Sequence, residues 1–442
     1  MKVTISQINP KTLDFEYNFN LIQEKIKESD VDSLIIFPEL SLSGSPLYDS
    51  ISYNDTHKKS IQYADKLSEL KRDFIFGLPI NQNGEILNAL AFIENGELKA
   101  ISTKKNLNRF DKGFSLGEGF CTIEYKKQTI AFGFLEDLDD YLKKQDKADL
   151  IICSSNILFT PETQKELLTS LQPKIRKAKT PIVLVNRCGA EASYIFNGSS
   201  FFMLSNGDLS KELPLFEESS LQIETQKTEK YTQSPLCRIE KMYHAAVLGI
   251  KDYFRKNNIK KALLGLSGGI DSSLVVVLAV EALGKENVIG VLLPSEYSTS
   301  HSITDAKASA ENLGIDYYTI PIKETFTSAL KALGPIFEGK EPNVAEENLQ
   351  SRIRGMILMG IANKIGAALL NTTNKSELSV GYGTLYGDTN GAIGALGDIF
   401  KTDVWEMSRW INRNEEIIPQ NSIIKAPSAE LRSDQKDTDS LP

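Results

Sequence analysis

Residues 260–284 read KKALLGLSGGIDSSLVVVLAVEALG. The apolar ALLGL predicts a buried strand, Ser267-Gly268-Gly269 a tight turn, and the Val-, Leu- and Ala-rich run from Ser272 a helix. Glycines let backbone N–H groups approach an anion closely, and the helix that follows adds its positive N-terminal dipole. The turn therefore reads as a phosphate cradle. A plain strand-turn-helix junction is the blander alternative, and a lone Gly-Gly would leave it favoured; SGG-x-DS between a buried strand and an apolar helix does not. The Walker pattern does not fit, because its lysine has no counterpart between Lys261 and Lys285. Asp271 stands in the turn instead. A carboxylate beside a polyphosphate needs a cation between them, and Mg²⁺ is the hard, oxygen-seeking choice.

Outward from this stretch the chain divides in two. Its 442 residues exceed one ordinary core. The first part alternates β-like runs with helical segments: VTISQI (3–8), SLIIFPEL (33–40), FIFGLPI (74–80), ILNALAFIE (86–94), QTIAFGF (128–134), ADLIICSS (148–155) and PIVLVN (181–186) read as strands, and FNLIQEKIKES as a helix. This predicts an α/β domain over 1–220. From about residue 217 the text becomes polar and loses apolar periodicity, so 221–237 reads as a linker and 238–442 as the second domain. Tyr243, Val247, Ile250 and Phe254 recur at helical spacing and predict an amphipathic helix opening that domain, with His244 off the stripe and exposed.

Composition bounds the function. With 41% hydrophobic and 24% charged residues the chain is a soluble globular enzyme in type. A net charge of −8 argues against a broad nucleic-acid surface but allows a local anion pocket. No basic-then-apolar leader opens the sequence, and no apolar run approaches the ~20 residues a bilayer requires, so a cytoplasmic protein without a membrane partner is expected. Cys121, Cys153, Cys188 and Cys237 form no CxxC pair, and His57, His244 and His301 are the only histidines. Neither zinc nor a disulfide framework is suggested.

SGGIDSS resembles the pyrophosphate loop of the N-type ATP pyrophosphatases, which cleave ATP between the α and β phosphates. AEENLQSRIRG (345–355), NTTNKSELSVGYGTLYGD (371–388), DIFKTDVW (398–405) and IIKAPSAELRSDQ (423–435) then resemble the NAD synthetases over essentially all of 238–442. The resemblance implies a doubly wound parallel sheet of the adenine nucleotide α-hydrolase type. It places ATP against Gly265, Leu266, Ser267, Gly268, Gly269, Ile270, Asp271, Ser272, Thr372, Lys401 and Ser428, and the substrate deamido-NAD against Asn348, Arg352, Arg354, Glu377 and Asp388. Asp271 and Glu377 are the implied Mg²⁺ ligands. The implied chemistry adenylates the nicotinate carboxylate, releasing pyrophosphate, and ammonia then displaces AMP to leave NAD. A homo-oligomer with the dinucleotide site near a two-fold interface is also implied. The family pattern continues past Pro442 to a further lysine that contacts deamido-NAD, so the substrate site given by these residues is partial.

FPELSLSG (37–44), TKKNLNRF (103–110), ADLIICSSNILF (148–159) and VNRCGAEASYIFNGSS (185–200) resemble the nitrilase-like glutaminase that larger NAD synthetases carry, an αββα sandwich with a Glu-Lys-Cys triad. By that resemblance Glu39 is the general base and Lys104 stabilises the oxyanion. The nucleophile's position falls at Leu135, in TIAFGFLEDL, and leucine cannot attack an amide. Phe110 stands for a glutamine-contacting tyrosine, Ile157 for a serine and Asp139 for a tryptophan. Each of Cys121, Cys153 and Cys188 reads as a small buried hydrophobe, and Cys237 belongs to the linker or the first helix beyond it. A degenerate glutaminase, with free ammonia as nitrogen donor, is the expectation. Two alternatives stay open: glutamine use through an unrecognised nucleophile, and a pseudoenzyme that binds nucleotide without turnover.

Overall fold

The computed structural model describes residues 1–227, 231, 236–426 and 428–432, and it divides into two compact units, Met1–Leu236 and Cys237–Pro442. Of the expected linker and the motif at 423–435, residues 228–230, 232–235, 427 and 433–435 lie outside the described residues.

The first unit is a sandwich of two six-stranded sheets. In spatial order one sheet runs Ser219–Glu224, Lys2–Gln7, Leu34–Ile36, Phe74–Gln82, Glu85–Glu94, Glu97–Thr103. The other runs Leu209–Glu212, Phe201–Met203, Ile182–Asn186, Leu150–Ser155, Gln128–Phe134, Cys121–Tyr125. Alternate residues of each strand separate two kinds of core. Leu34, Ile36, Phe132, Phe134, Leu150 and Ile152 meet between the sheets. Ile35 and Phe37 turn outward to the helix Phe15–Glu28, and Ile151 and Cys153 turn outward to the helix Thr163–Ala178. Both faces of both sheets are thus apolar, which is why these strands read as continuous hydrophobic runs rather than alternations.

One boundary is corrected. Ser219–Glu224, part of which reads as linker, pairs antiparallel with Lys2–Gln7 along its whole length. Only Leu221 and Ile223 of this edge strand face the inter-sheet core, so its polar residues conceal it in the sequence.

In the second unit five strands run parallel in the order Asp316–Thr319, Val288–Leu292, Lys261–Gly265, Ala367–Asn371, Ile393–Gly394. The chain winds outward from the central Lys261–Gly265 in both directions, which opens a crevice at the strands' carboxyl ends between it and Ala367–Asn371. The helix Ile270–Leu283 is apolar nearly all round because it is buried on nearly every side, from Ile270 to Ala279. The expected amphipathic helix is Arg238–Lys256, with Tyr243, Ile250 and Phe254 buried and Val247 partly so. His244 is half-buried rather than exposed, edge-on to Tyr243 and near Trp410. No helix among the described residues is long and apolar enough to cross a membrane.

Candidate active sites

At the crevice of the second unit lies a cleft of about 320 Å³. The turn after Lys261–Gly265 forms one wall. Gly268 has φ +74°, and a Cβ there would lie 2.2 Å from the Ser302 carbonyl oxygen, so only glycine fits. Ser267 Oγ and Ser272 Oγ are 3.0 Å apart, and Gly269 N donates to Ser267 Oγ at 3.2 Å, which closes the turn on itself. Gly269 caps the helix Ile270–Leu283 without a side chain, so the helix's first turn opens toward the cleft. Gly265, Leu266, Ser267, Gly269, Ile270, Asp271 and Ser272 all line it, as do Thr372, Lys401 and Ser428; Gly268 lies behind the wall, against Ser302.

Asp271, in the first turn of that helix, faces Glu377 across the cleft. The Lys401 ammonium hydrogen-bonds Asp271 Oδ2 and lies 3.6 Å from Glu377 Oε1. One cation therefore faces both carboxylates at once, and Lys401 stands in for a positive ion between them. Asn374 holds the pair in place: its Nδ2 donates to Asp271 Oδ1 at 3.0 Å, and its Oδ1 accepts from Glu377 N in a capping box that opens the helix Lys375–Val380. Among the described residues no group of three or more His, Cys, Asp and Glu is placed to hold a metal. Two carboxylates suit an ion that keeps waters and takes phosphate oxygens as its remaining ligands, as Mg²⁺ does.

The residues expected to meet the dinucleotide divide into two groups. Arg354, Glu377 and Asp388 line the cleft. Arg354 donates to Leu293 O at 3.0 Å, and burial lowers its pKa to about 10, which still leaves it a cation at neutral pH. Burial also raises the Asp388 carboxyl above its ordinary value, against the hydrogen bond it accepts from Thr384 N at 2.6 Å. Asn348 and Arg352 lie one turn apart on the helix Val344–Ile365 and do not line the cleft. Asn348 Oδ1 accepts from Thr384 Oγ1 at 2.8 Å, and the exposed Arg352 donates to Leu385 O at 3.2 Å. The sequence reading missed Lys425 and Glu430, which line the cleft from the far end of the chain inside the quoted IIKAPSAELRSDQ.

The second constellation is in the first unit, where Lys104 is fully buried and holds three carboxylates: Glu39 Oε1 at 2.9 Å, Asp111 Oδ2 at 3.0 Å and Glu136 Oε1 at 3.0 Å. Asn88 Nδ2 ties Glu39 Oε1 at 2.6 Å to Asp111 Oδ1 at 3.0 Å. Burial works against the charge of Lys104, but the three acids outweigh it and hold its pKa above the ordinary lysine value. Glu39 responds oppositely. Burial, assisted by the charges of Glu136 and Asp111 and resisted by Lys104, pushes its carboxyl up to about 8. Glu39 Oε2, Glu136 Oε2 and Asn88 Oδ1 are buried without a hydrogen-bond partner. One ammonium does not balance three carboxylates, and a proton on Glu39 removes part of the excess.

Leu135 follows the strand Gln128–Phe134 and begins a single 3₁₀ turn, Leu135–Asp137. It packs with Phe120, Leu142 and Ile157 against the apolar layer under the helices. Phe110 meets the Tyr194 ring edge-on at 4.8 Å, and the Arg109 guanidinium lies 4.8 Å over it. Asp139 is exposed and pairs with Lys174 at 2.7 Å. Cys153 is fully buried, and burial holds its thiol well above the ordinary value. Cys188 is buried in the hairpin strand Cys188–Glu191. Cys121 departs from its reading, being half-buried at an edge strand, and Cys237 is exposed at the cap of Arg238–Lys256.

Residues 242–442 match the NAD synthase family. The glutamine-dependent NAD(+) synthetase of Thermotoga maritima is 34% identical over 100% of this chain and 86% of its own, and that of Synechocystis sp. is 37% identical over the same shares. The structure of the glutamine-dependent NAD+ synthetase from Acinetobacter baumannii in complex with adenosine diphosphate superposes with a TM-score of 0.91 at 30% identity, covering 96% of this chain and 85% of that one. A glycine-bearing turn and a paired-carboxylate cleft on a parallel sheet, preceded by an αββα sandwich, belong to a chain that these relatives match along its whole length, and the chain belongs to the two-domain NAD synthetase family.

Proposed function

We propose that the protein converts deamido-NAD to NAD with ATP, and that its nitrogen donor is free ammonia rather than glutamine. The synthetase reading is carried by one observation: Asp271 and Glu377 converge on one cation beside a turn that is open to phosphate. A bound Mg²⁺ would be held by these two carboxylates and would neutralise the charge of the phosphates. With the two carboxylates so occupied, the Lys401 ammonium would be free to face the phosphates instead. The backbone N–H groups of the Ser267–Ser272 turn and the dipole of Ile270–Leu283 hold the pyrophosphate while the nicotinate carboxylate attacks the α-phosphorus. Ammonia then attacks the acyl carbon, and AMP leaves. Thr372 and Ser428 border the nucleotide, Asp388 and Arg354 the reacting end of the dinucleotide, and Asn348 and Arg352 a more remote part of it.

Ammonia as donor rests on Leu135. The Glu39 and Lys104 side chains are in place, but the residue that follows the adjoining strand is a half-buried aliphatic side chain packed against the apolar layer. Amide hydrolysis by this architecture needs a nucleophile that forms an acyl intermediate, and leucine provides none. Cys153 is no substitute, because it turns outward into the apolar layer and burial disfavours its thiolate.

The test supplies the intact protein with deamido-NAD, Mg-ATP and either ammonium or ammonia-free glutamine. NAD and AMP are expected in equal amounts with ammonium and at background with glutamine. NAD from glutamine at a comparable rate refutes the donor assignment, and no NAD from either refutes the synthetase reading.

A further inference from the structure

The Ser267–Ser272 turn carries no lysine, and Lys401 is engaged by Asp271 and Glu377. The leaving pyrophosphate gathers negative charge as its bond to the α-phosphorus breaks, so a further cation at its end of the cleft, in addition to Lys401, would hold it more strongly.

Lys425 is such a cation. It caps the short helix Gln420–Ile424, whose Ser422 Oγ donates to the Gly268 carbonyl at 3.0 Å. Its ammonium donates to Ser302 Oγ at 3.1 Å, and the carbonyl of that same Ser302 is what packs against Gly268. Two separate contacts therefore fix Lys425 beside the apex of the turn, on the lining of the cleft. Its other contact, Asp305 Oδ2 at 3.4 Å, is long, and Asp305 keeps the Asn421 Nδ2 donor at 2.6 Å when the lysine swings away. An anion of the chain itself already sits here. The Glu430 carboxylate accepts from Ser302 Oγ at 2.7 Å, from Thr299 Oγ1 at 2.9 Å and from Thr299 N at 3.2 Å.

We propose that Lys425, with the Ser302 hydroxyl and the Thr299 amide, binds the β and γ phosphates of ATP and retains them as pyrophosphate, and that Glu430 is an internal carboxylate which yields this place to them. The inference rests on the synthetase reading. In the adenylation step a nicotinate carboxylate oxygen forms its bond to the α-phosphorus, the bond from that phosphorus to the bridging oxygen breaks, and the electron pair leaves on pyrophosphate. Charge builds on the leaving group as the bond breaks, so Lys425 binds the product end more strongly than the intact triphosphate.

Calorimetric binding of inorganic pyrophosphate with Mg²⁺, and separately of AMP, to the intact protein tests this without turnover. Lys425→Met is expected to weaken pyrophosphate by about tenfold or more, the worth of a charge-assisted hydrogen bond, and to leave AMP within about twofold. Lys425→Arg should restore most of the loss. Glu430→Gln should shift pyrophosphate the other way, several-fold tighter, because a competing anion has gone. A merely structural pair would not produce effects of opposite sign. Unchanged pyrophosphate affinity in Lys425→Met, equal weakening of pyrophosphate and AMP, or no tightening in Glu430→Gln overturns the proposal. Failure of the protein to make NAD would instead refute the reading beneath it and leaves the binding result standing.

Discussion

Glu39 Oε1 lies 2.9 Å from Lys104 Nζ, with 2% and 0% of the two side chains exposed. An ion pair so enclosed would ordinarily keep its carboxylate ionised, but Asp111 and Glu136 share the same lysine. Burial above all, with the charges of Glu136 and Asp111 behind it and Lys104 opposing, sets the folded-state value of Glu39 at about 8, above its ordinary 4.5. Folding takes up a proton that the unfolded chain releases. The resulting stabilisation is complete below the ordinary carboxylate range and is lost as pH climbs toward 8. Melting of the first unit, followed by calorimetry between pH 5 and 8, should fall by several degrees in the wild type, about 2–4 °C for each kcal/mol. Glu39→Gln should flatten the profile, and parallel slopes in the two proteins would refute the protonated Glu39.

Restoring the thiol alone should not restore a glutaminase. Leu135→Cys removes packing from the layer that holds Phe120 and Ile157, at a cost of roughly 1–2 kcal/mol. It leaves Phe110 against Tyr194 and the half-buried Ile157 against the apolar layer, so a polar substrate would find no polar partner at either position. Incubation with glutamine followed by intact-mass measurement should show no acyl adduct, and NAD should still require ammonium. Glutamine-driven synthesis at the ammonium rate would show that the rest of the pocket is intact.

Asp271→Asn separates chemistry from folding. The side chain is 18% exposed in the first turn of its helix, and asparagine keeps its size and its power to accept from Asn374 and Lys401, so stability should change by only about 1 kcal/mol. Pyrophosphate release should drop by about 100-fold or more, because one of the two carboxylates facing the cation is gone. Pyrophosphate release at the wild-type rate would remove Asp271 from the mechanism.

Gly268→Ala places a methyl 2.2 Å from the Ser302 carbonyl at a φ of +74°. Backbone strain of about 1–3 kcal/mol is expected, together with loss of nucleotide affinity as the turn opens. Titration with ATP would detect it, and undiminished affinity would mean that the turn tolerates a shift of the helix Ser300–Leu313.

Local chemistry was legible where one segment suffices. The turn at 267–272 and the strands Gln128–Phe134 and Phe74–Gln82 follow from glycine placement and apolar runs bounded by turn residues. Ser219–Glu224 did not, since an edge strand with two inward apolar residues carries too little hydrophobic signal. Lys425 and Glu430 lay in a motif already quoted, yet only the fold brings them within reach of Ser302, more than a hundred residues earlier. Asp111 was missed for a similar reason. A lone aspartate in a loop looks solvated until Lys104 and Asn88 are seen to close on it.

The nitrogen donor gives a prediction in which rate and stability move in opposite directions with pH. On the proposed route the nucleophile toward the acyl adenylate is free ammonia, not the ammonium ion. At fixed total ammonium the initial rate should therefore rise through roughly pH 7 to 9 as the free base grows. Across the lower part of that window the first unit loses the stabilisation it draws from the Glu39 proton. Rates should be read at a temperature where both units remain folded, so that the rise reports the nucleophile alone. Replotted against free ammonia rather than total ammonium, profiles taken at different pH should fall on one saturation curve. A glutaminase would behave otherwise, since its nitrogen is released inside the protein and its rate would follow the site's own base and lysine. If the rate with ammonium is flat across this range while glutamine supports synthesis, Leu135 is not the end of the covalent route and another group delivers the nitrogen.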